Sequence, residues 1–258
     1  MADMIQDMLA NAVHIGFKRQ YWSPKMREYI YGVQNDVHVF DLYKTAKMLE
    51  EAKKVLADAT SKGKTVLIVG TKIQAREIVR SLAAETGHPY VDTKWVPGLL
   101  TNFATLKRRI GTYVTMEKDL SMGDTTGLTK KELVVQAKKV ADLRKAYEGV
   151  RDMKKLPDVL FVIDGKYENL ALQEAKKMHI PVVALLGSTG DIDMADSFIP
   201  CNVNSIKSLR YVIDQLKGSF ARPRQDAENG SAKMKKIEQK PAGKVLESND
   251  IPAESDAQ

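Results

Sequence analysis

Short apolar runs alternate with amphipathic segments along most of this chain. The runs are rich in branched residues and predict strands at Val37–Phe40, Thr65–Gly70, His88–Asp92, Asp158–Asp164, Ile180–Gly187 and Asp196–Pro200. Between them, apolar residues at helical spacing predict helices from Leu42 to near Gly63, from Ile73 to near Gly87, over Leu170–Met178 and over Ser205–Leu216. Apolar strands that alternate with helices are typical of parallel sheets covered on both faces. We therefore predict a doubly wound α/β domain.

Residues 103–156 break this alternation. Apolar side chains recur at helical spacing from Phe103 to Leu120 and again from Leu133 to Val150. The intervening segment Ser121–Leu128 contains two glycines, and Thr129–Glu132 matches a capping box at the start of a helix. The pattern predicts two antiparallel helices that pack along a seam and project from the domain as an inserted hairpin.

The distribution of charge separates the insertion and the tail from the rest. The 258 residues include 40 Lys and Arg against 33 Asp and Glu, a net charge of +7. Residues 103–156 hold thirteen basic and seven acidic residues, whereas residues 222–258 hold seven of each and no aromatic residue. Such a tail cannot bury enough apolar surface to fold, so we predict that it is disordered.

Four parts of the chain follow from these patterns. We expect an N-terminal helix with a basic and aromatic segment over residues 1–35, and an α/β domain built from residues 36–102 and 157–221. The basic helical hairpin of residues 103–156 is inserted into that domain, and the tail of residues 222–258 follows it.

Several classes of protein are disfavoured by composition. The single cysteine, Cys201, excludes a disulfide scaffold and is expected to be a buried, inert thiol suited to the reducing cytoplasm. The four histidines are scattered without the spacing of metal ligands. The longest uncharged stretch, Met178–Gly190, is too short to span a bilayer, and no signal peptide is visible. We expect no cofactor, metal or membrane.

One candidate site lies where predicted strands end. Gly70–Lys72 joins a strand to a helix, a junction that attracts phosphate, and Asp164 ends a second strand. These residues leave open a small doubly wound enzyme or receiver-like domain that binds a nucleotide or phosphate. The motif matches no nucleotide-binding fingerprint, so we favour Asp164 as a cap of the next helix and Lys72 as a contact to RNA phosphate. A third hypothesis is that the protein is an adaptor that binds only other proteins.

Two other segments combine basic and aromatic residues. In residues 14–27, four basic residues surround Tyr21 and Trp22, a mixture that suits phosphates and unstacked bases, although the rings could also anchor the segment to the core. Trp95–Asn102 is an apolar turn ahead of Lys107, Arg108 and Arg109. We predict that Trp95 forms a rigid elbow, that Asn102 caps the following helix, and that the arginine pair contacts RNA.

Several motifs in a fixed order identify a family resemblance. They are VHIG at Val13–Gly16, WSPKM at Trp22–Met26, YIYG at Tyr29–Gly32, VHVFDLYKT at Val37–Thr45, IVGTK at Ile68–Lys72, KWVPGLLTNF at Lys94–Phe103, GLTKKE at Gly127–Glu132, GVRDM at Gly149–Met153, LPDVLFVID at Leu156–Asp164 and IPVVAL at Ile180–Leu185. The sequence resembles the family of the second protein of the bacterial small ribosomal subunit over roughly residues 5–220. Where that family carries a second histidine, this chain has Phe17, so no paired-histidine role is expected.

The resemblance implies a flavodoxin-like fold and a structural, non-enzymatic role. It implies binding to small-subunit ribosomal RNA at the junction of head and body, and support for the large first protein of the subunit, which captures messenger RNA. On this basis we expect RNA contacts from Lys18, Arg19, Trp22, Lys25, Arg27, Lys72, Lys94, Lys107, Arg108 and Arg109. Lysines and arginines between residues 130 and 145 extend this surface or form a solvated helix face.

Overall fold

The computed structural model describes residues 2–122 and 130–221. The helices in this part of the chain are α1 (Ala2–Ala10), α2 (Leu42–Ser61), α3 (Ile73–Thr86), α4 (Phe103–Met122), α5 (Lys130–Tyr147), α6 (Asn169–Lys177) and α7 (Ile206–Leu216). The strands are β1 (Ile15–Lys18), β2 (Ile30–Gln34), β3 (Val37–Phe40), β4 (Val66–Val69), β5 (Tyr90–Val91), β6 (Val159–Ile163), β7 (Val182–Leu186) and β8 (Ser197–Pro200). The predicted tail, residues 222–258, lies outside the described residues, as does Thr129 of the predicted capping box.

Five strands form a parallel sheet in the order β5-β4-β6-β7-β8. Side chains of β6 alternate between two buried clusters, with Phe161 on the face that carries α2, α3 and α7 and Leu160 on the face that carries α6. Every residue of β4, β6 and β7 is buried, because helices cover both faces. The doubly wound α/β prediction is confirmed, and the strand order reverses between β4 and β6.

A second, antiparallel sheet was not predicted. Its strand order is β1-β3-β2, so Val37–Phe40 belongs to this sheet and not to the parallel one. Asn35 and Asp36 both have positive φ, 50° and 61°, and form the two-residue turn that reverses the chain between β2 and β3. The interpretation of Val37–Phe40 as the first strand of the alternating β/α pattern is therefore wrong, because a local hairpin determines its pairing.

Local capping sets several helix ends. The Asp41 side chain accepts a hydrogen bond from the Tyr43 amide over 3.0 Å at the start of α2. The α3 helix ends at Gly87, whose φ of 67° is the left-handed conformation that glycine adopts most easily, as the sequence predicts. At the start of α7, Ser205 accepts from the Ser208 amide.

Two helices, α4 and α5, lie within residues 103–156 and contribute to one buried cluster. Leu106, Ile110 and Tyr113 of α4 are buried in the same cluster as Val140 and Tyr147 of α5. These residues fall on the predicted seam. The segment that joins the two helices, residues 123–129, lies outside the described residues. None of the described helices combines the length and apolarity needed to cross a membrane.

Candidate nucleic-acid interface

The basic and aromatic segment near the N-terminus is fixed to the loop that follows β7. The Phe17 amide donates to Ser188 Oγ over 2.9 Å, and the Ser23 amide donates to the Ser188 carbonyl over 2.8 Å. The Phe17 ring lies so close to Gly187 that a Cβ at that position would meet Phe17 Cε2 at 2.7 Å. Lys25 forms an ion pair with Asp191 over 2.9 Å and a second with Asp193. This segment is therefore a rigid frame.

The frame presents basic and aromatic groups to solvent. Lys18, Arg19 and Arg27 are exposed. Trp22 is 39% exposed, and the centroid of its ring lies 5.3 Å from that of the buried His38. Trp22 is thus both an anchor and an accessible aromatic surface, so the two roles considered for it are compatible.

Lys25, unlike Lys18, Arg19 and Arg27, is paired with two carboxylates. The hydrogen bonds that its ammonium group donates to Asp193 and Asp191 raise the pKa of Lys25. The same contact with Lys25 holds the pKa of Asp191 below its ordinary value. Because two carboxylates face this one ammonium group, Lys25 attracts phosphate less than a lone lysine would.

An ion pair between Lys72 and Asp164 lies where the order of the parallel strands reverses, between β4 and β6. Lys72 Nζ lies 2.7 Å from Asp164 Oδ2 and also contacts Asn204 Oδ1. The two charged side chains are only 13% and 5% exposed. In doubly wound sheets, ligands usually bind in the crevice where the strand order reverses. In this protein the side chains of Lys72 and Asp164 occupy that crevice. Of the predicted RNA contacts, Lys72 is therefore the one that is largely withdrawn from the surface.

Neighbouring residues explain the motif around Lys72 through packing. A Cβ on Gly70 would lie 2.8 Å from Val79 Cγ2, so the close approach of β4 and α3 requires glycine. The Thr71 amide and hydroxyl donate to Glu168 Oε1 over 2.6 and 2.7 Å, while burial raises the pKa of Glu168. The Asp164 carboxylate accepts a hydrogen bond from the Tyr167 amide over 3.4 Å and so caps the turn that precedes α6. We predicted that Asp164 caps the helix itself, but α6 begins only at Asn169.

A buried glutamate organises the elbow that precedes α4. Glu174, on α6, accepts hydrogen bonds from Trp95 Nε1 at 3.0 Å, from the Gly98 amide at 2.8 Å and from the Leu100 amide at 3.0 Å. The amide and hydroxyl of Thr101 donate to its second oxygen. Burial alone would raise the pKa of Glu174, but these donors outweigh it and hold the pKa below its ordinary value.

Trp95 is accordingly a structural residue, as predicted, but its partner was missed. The signal in the sequence is an acidic residue, Glu174, placed among the buried apolar positions Ala171, Leu172 and Ala175 of α6. A carboxylate on the buried face of a helix needs internal donors. The sequence does not show which of the other segments supplies them.

The base of α4 presents the second basic group. Lys107, Arg108 and Arg109 are exposed, and Lys107 donates to the Lys154 carbonyl over 2.8 Å. Within the described part of the chain, Arg108 and Arg109 take part in no ion pair, and exposed Lys94 lies just before the elbow. On α5, by contrast, Arg144 pairs with Glu148 at 3.2 Å and Lys145 with Asp142 at 3.1 Å.

One buried apolar cluster contains a residue beside Arg27 and residues beside the basic group of α4. Met26, between Lys25 and Arg27, is buried in the same cluster as Leu106 and Ile110, which flank the basic residues of α4. Phe17, beside Lys18, packs against the other buried cluster, so the described residues present two basic groups that are anchored to the core at different points. The first consists of Lys18, Arg19, Lys25 and Arg27 with the aromatic Trp22 among them, and the second consists of Lys94, Lys107, Arg108 and Arg109.

Across residues 2–122 and 130–221, no three His, Cys, Asp or Glu side chains are grouped as metal ligands. Burial raises the pKa of the Cys201 thiol, in agreement with an inert thiol.

Comparison with known proteins gives a consistent result. The family model described as Ribosomal protein S2 matches residues 8–222. A small ribosomal subunit protein uS2 from Coprothermobacter proteolyticus is 38% identical over 221 residues, which are 86% of this chain and 82% of that protein. Proteins of the same name from Wolinella succinogenes and Helicobacter acinonychis are 40% and 37% identical, covering 82% and 86% of this chain and 78% and 90% of their own lengths.

Proposed function

Because the chain belongs to the ribosomal protein S2 family, we propose that it binds small-subunit ribosomal RNA through the two basic groups on its surface. It is a structural constituent of the small ribosomal subunit and not an enzyme. The alternative hypothesis, an enzyme with a phosphate site at Gly70–Lys72 and Asp164, is therefore wrong. We place its RNA contact at the junction of head and body, as the resemblance of the sequence implies.

The observation that carries this proposal is the pair of exposed basic groups, each anchored to the buried core. Met26, beside Arg27, and Leu106 and Ile110, beside the arginines of α4, are buried in the core, so the backbone that carries these arginines is fixed. Because this backbone is already ordered, binding to phosphates costs only the conformational entropy of the side chains. Each contact releases counterions from the RNA, so the affinity should depend steeply on salt.

A second part of the proposal concerns a protein partner. We propose that the chain supports docking of the large first protein of the subunit, which captures messenger RNA. This rests on the sequence resemblance. It is tested by quantifying that first protein on small subunits assembled with and without this chain. The proposal requires its occupancy to fall when this chain is missing, and equal occupancy would refute it.

Sedimentation of the full-length chain tests the RNA-binding proposal in the assembled particle. We expect the wild-type chain to migrate with the small subunit and to be released as salt rises. The double variant R108A/R109A should be released at lower salt, whereas K47A/K54A should behave as wild type, because Lys47 and Lys54 are exposed lysines on α2. Equal release of all three proteins would remove the α4 arginines from the interface.

A further inference from the structure

Three apolar side chains stand exposed at the end of the parallel sheet where the strand order reverses. Ile73 is 78% exposed, Tyr167 is 60% exposed and Ile206 is 50% exposed. Each follows a different strand: Ile73 begins α3 after β4, Tyr167 lies in the turn after β6, and Ile206 begins α7 after β8. We call these three residues the switch-end patch.

Hydrogen bonds and an ion pair join the three segments that carry the patch. Lys72, which precedes Ile73, contacts both Asp164 and Asn204 through its ammonium group. Asp164 in turn accepts from the Tyr167 amide, and Asn204 lies two residues before Ile206. The patch therefore surrounds one buried ion pair, and its backbone is held in place.

The fold does not use these side chains in its core. On α3 the buried face consists of Ala75, Ile78, Val79, Leu82 and Ala83, and on α7 it consists of Ser208, Leu209, Val212, Ile213 and Leu216. Ile73 and Ile206 are the first residues of their helices and are not among these buried residues. Exposed apolar side chains gathered around a rigid centre are typical of a surface that binds a partner.

The chemistry of the patch favours protein over RNA. Two of its three members are aliphatic and offer no plane on which a base could stack. The cation at its centre, Lys72, is already neutralised by Asp164. At its rim, Lys166 and Lys207 are exposed and, in the part of the chain that the structure describes, take part in no ion pair. An apolar centre with unpaired lysines at its rim complements apolar side chains flanked by carboxylates.

We propose that the switch-end patch docks a neighbouring protein of the small subunit through a segment in which apolar residues are flanked by Asp or Glu. This inference rests on the proposed function only in placing the chain within the subunit. It adds a protein-binding surface that is separate from the two basic groups assigned to RNA.

Photo-crosslinking within purified small subunits tests the proposal. The full chain carries p-benzoylphenylalanine in place of Tyr167, and a matched control carries it in place of Val55, which is exposed on α2. We expect the probe at position 167 to crosslink to a peptide of another ribosomal protein that contains apolar and acidic residues. The charge reversal K166E/K207E should reduce this product about tenfold or more and leave the product at position 55 unchanged.

Three results would overturn the proposal. They are a crosslink from position 167 to RNA alone, the absence of any protein crosslink from that position, and a protein crosslink that is insensitive to K166E/K207E. Failure of the RNA-binding proposal would be seen separately, in the affinity of the free chain for ribosomal RNA.

The variant I73D/I206D supplies a second measurement. We expect unchanged thermal unfolding and unchanged RNA affinity for the free chain, since both side chains are exposed. In purified subunits, the crosslink from position 167 should fall about tenfold or more, because each isoleucine would lose apolar burial in the complex. A loss of RNA affinity in the free chain would show instead that the patch binds RNA.

Discussion

The Trp95 indole donates its Nε1–H to the Glu174 carboxylate over 3.0 Å, across 79 positions of the chain. The same carboxylate accepts the amides of Gly98 and Leu100, so one side chain of α6 fixes the whole elbow. Because α4 begins directly after this elbow, Glu174 determines where the basic residues of α4 leave the α/β body.

Removing the Glu174 carboxylate should destabilise the protein strongly. The variant E174A leaves the Trp95 indole and the Gly98 and Leu100 amides without their acceptor. We expect a loss of about 3 kcal/mol or more in the free energy of unfolding, measured by urea denaturation. E174Q retains one acceptor oxygen and should lose less. A loss below about 1 kcal/mol in E174A would show that the elbow does not depend on this contact.

The pH dependence of stability should distinguish Glu174 from Glu168. Hydrogen bonds hold the folded pKa of Glu174 below its ordinary value of 4.5, so its contribution is present above that pH and is lost as pH falls through the folded pKa. Burial raises the folded pKa of Glu168, so its charge lowers stability at neutral pH, and stability is recovered as pH falls through the folded pKa.

The two glutamine variants should therefore have different effects on stability at neutral pH. We expect E174Q to be less stable than wild type, and E168Q to be as stable or up to about 1 kcal/mol more stable, because Gln Oε1 can still accept from Thr71. Urea midpoints of the three proteins, measured from acid to neutral pH, check this. Equal destabilisation by both variants at neutral pH would contradict the assignment.

Lys72 should matter for stability more than for RNA binding. The variant K72A leaves Asp164 buried without its cation, which should cost about 3 kcal/mol of unfolding free energy. The salt dependence of RNA affinity should not change, since Lys72 is largely withdrawn from the surface. Unfolding and RNA-binding measurements on the same preparation check both statements. If K72A were as stable as wild type and its RNA affinity depended less on salt, Lys72 would be a contact to RNA.

Two glycines of the inserted segment should respond in opposite directions to alanine. At Gly149, a Cβ would lie 2.2 Å from the Tyr90 carbonyl oxygen, so G149A requires the backbone to move and should cost about 3 kcal/mol. At Gly111, within α4, a Cβ meets nothing within 4 Å. G111A should raise the free energy of unfolding by about 0.5–1 kcal/mol, because alanine favours helix. Thermal unfolding of both variants tests the packing at the base of α5.

The sequence predicted those parts of the fold that depend on local patterns. The buried strands β4, β6 and β7 follow from continuous apolar runs, and the end of α3 follows from Gly87. The antiparallel sheet was missed because its turn is formed by Asn35 and Asp36, a weaker signal than Asn-Gly.

The candidate site was predicted less completely, for a physical reason. Arg27, Arg108 and Arg109 are exposed, as their basic sequence segments predicted. Charged side chains usually lie at the surface, so this prediction does not require knowledge of a distant partner. The partners of Trp95 and Lys72 lie 79 and 92 positions away, and nothing near either residue identifies them. Long-range pairs of this kind depend on the tertiary fold.

The most direct test of the account is the affinity of the purified full-length chain for small-subunit ribosomal RNA, measured across a range of salt concentrations. We predict that R108A/R109A reduces the slope of log affinity against log salt by about two, while the control K47A/K54A leaves it unchanged. A slope equal to wild type in R108A/R109A would contradict the assignment of the α4 base to the RNA interface.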